Sequence, residues 1–204
     1  MLESIIIDWD GTLHDSMEAV FRAYSIISGK PLEVIRKLYK PDWRRFEKEA
    51  GIPRVSDDEW HRIYREQLSD AKLFPGAKEY LQKIKNDEYK TALVTSSFSL
   101  TVRTDLEKRS LSDIFDVIVT ADDVKKLKPN PECLKIAVKK LDLTVPKCIF
   151  IGDTDADACA AKNIGMKFIG VAWGFHTPEV IRSVNGDKIA NNFDELYNMT
   201  VKFK

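Results

Sequence analysis

Residues 4–16 read SIIIDWDGTLHDS. Three isoleucines run straight into Asp8, Asp10 follows after a single tryptophan, and Gly11 and Thr12 come next. A short continuous apolar run of this kind predicts a strand buried on both faces, as in a parallel sheet. Two carboxylates at the end of such a strand are costly unless something compensates their charge. The stretch that sets the fold class therefore also marks a site.

Further apolar runs of the same type occur at 91–97 (TALVTSS), 116–122 (DVIVTAD), 148–153 (CIFIGD) and 168–174 (FIGVAWG). Helical patterns separate most of them. Tyr80, Leu81 and Ile84 share one face over 76–85, Val102 and Leu106 pair over 99–109, and Leu134, Ala137, Val138 and Leu141 line up over 131–141. Asn130 as N-cap and Pro131 at the first helical position predict the start of the last of these. Alternating strands and helices imply parallel strands joined by right-handed crossovers, hence an open α/β sheet.

Residues 16–74 break the rhythm. Met17, Val20, Phe21, Tyr24 and Ile27 recur at helical spacing, as do Trp60, Ile63, Tyr64 and Leu68. Ser56 with Glu59 has the spacing of a helix-starting capping box, and GKP (29–31) and GIP (51–53) punctuate the helices. The expectation is an α/β core of residues 1–15 and 75–204 carrying a small helical insertion over 16–74.

Composition narrows the function. The 204 residues hold 32 Lys+Arg and 32 Asp+Glu, so net charge argues for neither nucleic acid nor membrane as a partner. Cys133, Cys148 and Cys159 lack the spacing of a disulfide framework or a zinc site and fit a reducing cytoplasm. No apolar stretch approaches the roughly 20 residues of a membrane span, and the N-terminal run is too short for a signal peptide.

In open α/β sheets, ligands sit beyond the carboxyl ends of the strands. Here those ends carry Asp8 and Asp10, then Thr95, Ser96 and Ser97, then Lys128, then Asp153, Asp155 and Asp157. Two carboxylates 4 Å apart repel by roughly 4 kcal/mol at an effective dielectric near 20. Either some of them are protonated or a cation holds them together, and oxygen ligands without histidine favour a hard cation, Mg²⁺ first. Such a set suits phosphoryl transfer: a carboxylate nucleophile, a second carboxylate as acid and base, and a lysine on the phosphoryl oxygens. Asp122 and Asp123 are expected to cap a loop.

With DWDGT (8–12), Thr95 after a buried strand, Lys128 in KPNP and GDTDAD (152–157) in this order, the chain resembles the haloacid dehalogenase-like (HAD) hydrolase superfamily. AAKNIGM (160–166) and IGVAWG (169–174) are also similar to family members, and 16–74 resembles the family's helical cap. The resemblance implies a Rossmann-like core and a phospho-aspartyl mechanism on a small phosphorylated metabolite. It makes Asp8 the nucleophile and Asp10 the general acid/base. It places Mg²⁺ on Asp8, the Asp10 backbone carbonyl and Asp153, with Asp157 holding water on the metal. It puts Thr95, the Ser96 amide and Lys128 on the phosphoryl oxygens.

Departures choose within the superfamily. Dehalogenase and phosphonate-cleaving relatives lack the acid that stands here as Asp10. Sugar-phosphate mutase relatives usually carry a histidine in place of Val20 and a valine in place of Thr12. The nearest resemblance is to the phosphoglycolate phosphatase-like branch, with a mutase or a catalytically silent binding protein as the alternatives. In the insertion, Trp43, Arg44, Arg45 and Phe46 offer rings and cations to a substrate or form a solvated amphipathic helix. His14 is either a substrate contact or a hinge residue.

Overall fold

The isoleucines of β1 (Ser4–Ile7) are completely buried because the strand lies in the middle of the sheet. β2 (Lys90–Val94) pairs with it on one side and β4 (Cys148–Gly152) on the other, both parallel. The computed structural model describes residues 1–68, 71–185 and 188–203. Its parallel sheet has the order β3-β2-β1-β4-β5-β6, with β3 at Val117–Val119, β5 at Lys167–Val171 and β6 at Ile189–Ala190.

Alternate strand residues serve the two faces. Ile5, Ile7, Leu93, Ile149 and Ile151 pack with residues of α5 (Ala77–Asn86), α6 (Ser99–Lys108) and α10 (Phe193–Val201). Ile6, Ala92, Val94 and Phe150 pack with residues of α7 (Glu132–Lys140), α8 (Asp155–Lys162) and α9 (Pro178–Asn185). The expected α/β architecture is therefore observed, a Rossmann-like sheet between two helical layers.

Between β1 and α5 lie α1 (Met17–Ser28), α2 (Leu32–Leu38), α3 (Trp43–Ala50) and α4 (Asp57–Gln67). They bury a cluster of their own around Val20, Phe21, Tyr24, Ile35, Phe46 and Ile63. The chain leaves the sheet layer and returns to it side by side, the Asp15 amide donating to the Lys72 carbonyl over 2.8 Å.

Local details depart from the sequence expectations. β6 is only two residues long, too short for any periodicity to register, and its pairing with β5 defines it. The run at 168–174 leaves the sheet after Val171. Pro131 is the N-cap of α7, yet the Asn130 side chain still accepts from the Glu132 amide at 3.0 Å. Asp122 and Asp123 do cap: Asp123 closes a capping box with Thr120, and Asp122 accepts from the Ser99 amide. The three cysteines are free. No helix among the described residues is long and apolar enough to cross a membrane.

Candidate active site

The carboxyl ends of β1, β2 and β4 deliver their polar residues to one rim, where the strand order reverses around β1. Asp8 follows β1 directly and is 5% exposed. Lys128 arrives from the loop after β3, and its Nζ lies 2.8 Å from Asp8 Oδ1 and 2.7 Å from Asp157 Oδ1. Asp153 follows β4 and accepts from Thr12 Oγ1 at 2.8 Å and from the Phe175 amide at 2.7 Å.

Two glycines permit this packing. Gly11 has φ +79°, and a Cβ there would fall on the Asp153 carboxylate, as would one at Gly174. Asp157 is not placed by helical spacing from Asp153, because α8 begins at Asp155 with Thr154 as N-cap. Its Oδ2 accepts from the Thr154 amide and hydroxyl at 3.0 and 2.6 Å, which leaves Oδ1 to face Lys128.

The structure thus brings Asp8, Asp153 and Asp157 together, with ligand oxygens all within 4.8 Å of one another. The side chain of Asp10 is outside that group. It is held by hydroxyls: Ser16 at 2.5 Å and Tyr64 at 3.3 Å on Oδ1, Ser97 at 2.5 Å and Thr95 at 3.4 Å on Oδ2. Thr95 Oγ1 also accepts from the Ser97 amide at 3.0 Å. Ser96 lines the cleft, its carbonyl taken by Trp43 Nε1 at 2.8 Å.

A haloacid dehalogenase-like hydrolase family model matches residues 5–171. The chain belongs to that family. Among curated proteins, this hydrolase is 29% identical to "Probable phosphatase IndB" of Dickeya dadantii, over 94% of this chain and 90% of that protein. It is also 29% identical to pyrophosphatase PpaX of Bacillus velezensis, over 97% and 95%. A solved hydrolase from Pseudomonas syringae superimposes with a TM-score of 0.85 at 23% identity, each chain covered to 98%.

In this HAD hydrolase, three buried acids against one ammonium would carry an excess of two negative charges when fully ionised. Burial pushes the Asp8 carboxyl well above its ordinary value; Lys128 opposes this, and Asp157 and Asp153 add to it. Burial, with Asp157 beside it, pushes Asp153 up to about 7, against the donors Phe175 and Thr12. Burial also works against the Lys128 ammonium, but Asp157 and Asp8 outweigh it and hold the lysine above its ordinary range. Oxygen donors with this charge excess fit a hard divalent cation such as Mg²⁺.

That electrostatic balance has a measurable consequence. Asp153 holds its proton in the folded state up to about pH 7 but loses it near pH 4 when unfolded. The folded state therefore binds more protons between those values, and stability of metal-free protein should fall as pH rises from about 4 to about 7. Asp8 acts in the same direction, whereas His14 and His61, both held below their ordinary value by burial, oppose it below about pH 6.5. Each proton so retained contributes about 1.4 kcal/mol per pH unit to the loss, and the histidines offset part of it. Urea unfolding in chelator across this range measures it; stability rising steadily to pH 7 would refute the reading. Added Mg²⁺ above pH 7 should restore the lost stability.

The inserted helices meet the rim directly. Besides Trp43 and Tyr64, Arg44 donates to the Lys125 and Ala121 carbonyls at 2.8 and 3.3 Å. Arg45 pairs with Glu49 on the surface, and Phe46 is buried among the inserted helices. Of the Trp43–Phe46 group, then, only Trp43 lines the cleft. His14 does not line the cleft: its Nδ1 lies 4.0 Å from Asp10 Oδ1 and 3.4 Å from Asp105 Oδ2, and its Nε2 lies 2.9 Å from Arg109 Nη2, which also donates to the Ala71 carbonyl.

Sequence reasoning missed the hydroxyl cage of Asp10. Ser97 was visible as the third residue of TSS, but Tyr64 looked like any other apolar-face residue of its helix. Tyr39 was also missed. It lines the cleft, and burial with the carboxylates of Asp10, Asp153 and Asp8 holds its phenol above the ordinary range.

Proposed function

We propose that this chain is a Mg²⁺-dependent phosphatase that hydrolyses a small phosphomonoester through a phospho-aspartyl intermediate. One observation carries the reading: the two aspartates of DWDGT stand in different environments. Asp8 faces an ammonium and two further acids, and Asp10 is enclosed by hydroxyl donors. Lys128 and a cation held by the acid cluster would favour the ionised, attacking form of Asp8, and Asp10, outside that cluster, is the carboxyl left to carry the proton.

In the first step an Asp8 oxygen attacks phosphorus, and the bond to the alcohol oxygen breaks. Protonated Asp10 gives its proton to that oxygen. In the second step water attacks the same phosphorus and returns a proton to Asp10, releasing inorganic phosphate and the Asp8 carboxylate. Lys128, Thr95 and the Ser96 amide hold the phosphoryl oxygens. Asp8, the Asp10 carbonyl and Asp153 would hold the cation, with Asp157 behind them. Mg²⁺ bound there supplies charge that offsets both the acids and the phosphoryl oxygens.

Residues 16–74 act as a cap that closes the cleft against water. The phosphoglycolate phosphatase-like likeness is one of architecture and chemistry, and the cleft decides the alcohol. A mutase is disfavoured by Val20 in the cleft wall, where such relatives usually carry histidine. A silent binding protein would have no physical reason to keep crowded, mutually repelling acids.

Release of phosphate from 4-nitrophenyl phosphate tests the proposal. Hydrolysis is expected with Mg²⁺, loss of at least 100-fold in excess chelator is expected, and Mg²⁺ should restore it. Undiminished hydrolysis in chelator would rule the mechanism out.

A further inference from the structure

We infer that the alcohol part of the substrate is uncharged and carries an aromatic ring or a comparable flat apolar face. This deepens the phosphatase reading and rests on it. A cleft open in part to solvent leads away from Asp8. Its walls are ring pairs from both halves of the molecule. Trp43 and Phe98 lie with centroids 5.3 Å apart, Tyr24 and Trp60 4.5 Å, and Tyr39 and Phe175 5.3 Å.

Several polar edges of these rings are already engaged within the protein. Trp43 Nε1 donates to the Ser96 carbonyl and the Tyr24 hydroxyl to Glu47 at 3.3 Å, so their apolar surfaces are what they present. Flat apolar surfaces favour a ring by burial and by offset or edge-on stacking.

Charge argues in the same direction. Among the described residues lining the cleft, Lys128 is the sole cation, and it sits between Asp8 and Asp157. The nearby arginines are committed elsewhere. Arg54 stacks behind Trp43, 4.6 Å from the ring centre, and pairs with Glu47 and Asp57. Arg44 is bonded to the Lys125 and Ala121 carbonyls.

Besides Lys128, the charged groups lining the cleft are the acids Asp8, Asp10 and Glu47, the last already paired with Arg54. A second anionic group on the substrate, whether a carboxylate or another phosphate, would meet these acids and find no further cation among the described lining residues. Phosphoglycolate and pyrophosphate are therefore poor substrates.

Esters of primary alcohols separate the contributions. With Mg²⁺, kcat/KM for benzyl phosphate should exceed that for ethyl phosphate at least tenfold, and phosphoglycolate and pyrophosphate should fall below ethyl phosphate. Trp60→Leu should bring the benzyl-to-ethyl ratio under tenfold; because a ratio cancels the fraction of folded enzyme, partial misfolding does not mimic this. Binding without turnover gives an independent measure. Benzylphosphonate should bind at least tenfold more tightly than methylphosphonate or phosphonoacetate, read from tryptophan fluorescence.

If esters are hydrolysed but phosphoglycolate or pyrophosphate outpaces benzyl phosphate, or the wild-type benzyl-to-ethyl ratio is below tenfold, the inference is overturned and the phosphatase reading stands. If no ester is hydrolysed while benzylphosphonate still binds preferentially, the aromatic subsite stands and the phosphatase reading falls.

Discussion

Asp8→Asn is expected to lower kcat for phosphate release by on the order of 10⁴-fold or more while the fold survives. The amide cannot attack phosphorus, and no neighbour can take over. Asp153 is engaged by Thr12 and Phe175, and Asp157 by Thr154 and Lys128. The substitution is nearly isosteric and removes one of three mutually repelling buried acids. The metal-free variant should consequently unfold at no lower urea concentration than the metal-free wild type. Acid-quenched wild-type enzyme taken during turnover should carry a phosphoryl group by mass spectrometry, and the variant should carry none. Activity within tenfold of wild type would exclude Asp8 as the nucleophile.

Asp10→Asn should lower kcat by about 10²–10⁴-fold, the usual worth of general acid/base catalysis. The size of the loss should depend on the leaving group. An alkyl alcohol needs a proton as its bond to phosphorus breaks, whereas 4-nitrophenolate leaves without one. The defect should therefore be larger with ethyl phosphate than with 4-nitrophenyl phosphate. A merely structural role would slow both equally, and that result would count against Asp10 as the acid.

Ser97→Ala removes a hydroxyl 2.5 Å from Asp10 Oδ2 but leaves Ser16, Tyr64 and Thr95 in place. It should cost about tenfold, the effect of losing one hydrogen bond to a charged group. The loss should be in kcat rather than KM.

The residues that sequence reasoning located share one property: each sits at the end of an apolar run or a fixed step beyond it. Asp8, Thr95 and Asp153 follow their strands directly, so strand ends and function coincide. Asp157 shows the limit. The motif order marks it, but its orientation is set by Thr154, the N-cap of α8, which holds Oδ2 and leaves Oδ1 to Lys128. Tyr64 lay beyond reach, and the two readings of Trp43 stayed open, for a different reason. On an amphipathic helix an aromatic residue facing a neighbouring helix and one facing a cleft have the same spacing, and only the partner distinguishes them.

Strand periodicity, the carboxylates at the strand ends and the order of the motifs are local properties of the chain. The sequence by itself therefore determined the α/β sheet, the family and the acids of the site. Tertiary structure alone decided that Asp8, Asp153 and Asp157 share one buried charge cluster while Asp10 is drawn off by four hydroxyls. It also decided which rings wall the cleft. Both outcomes depend on contacts between segments more than 50 residues apart, such as Asp10 with Tyr64 and Trp43 with Ser96. Such contacts follow from how the inserted helices settle over the sheet, a packing solution that no periodicity within either segment encodes.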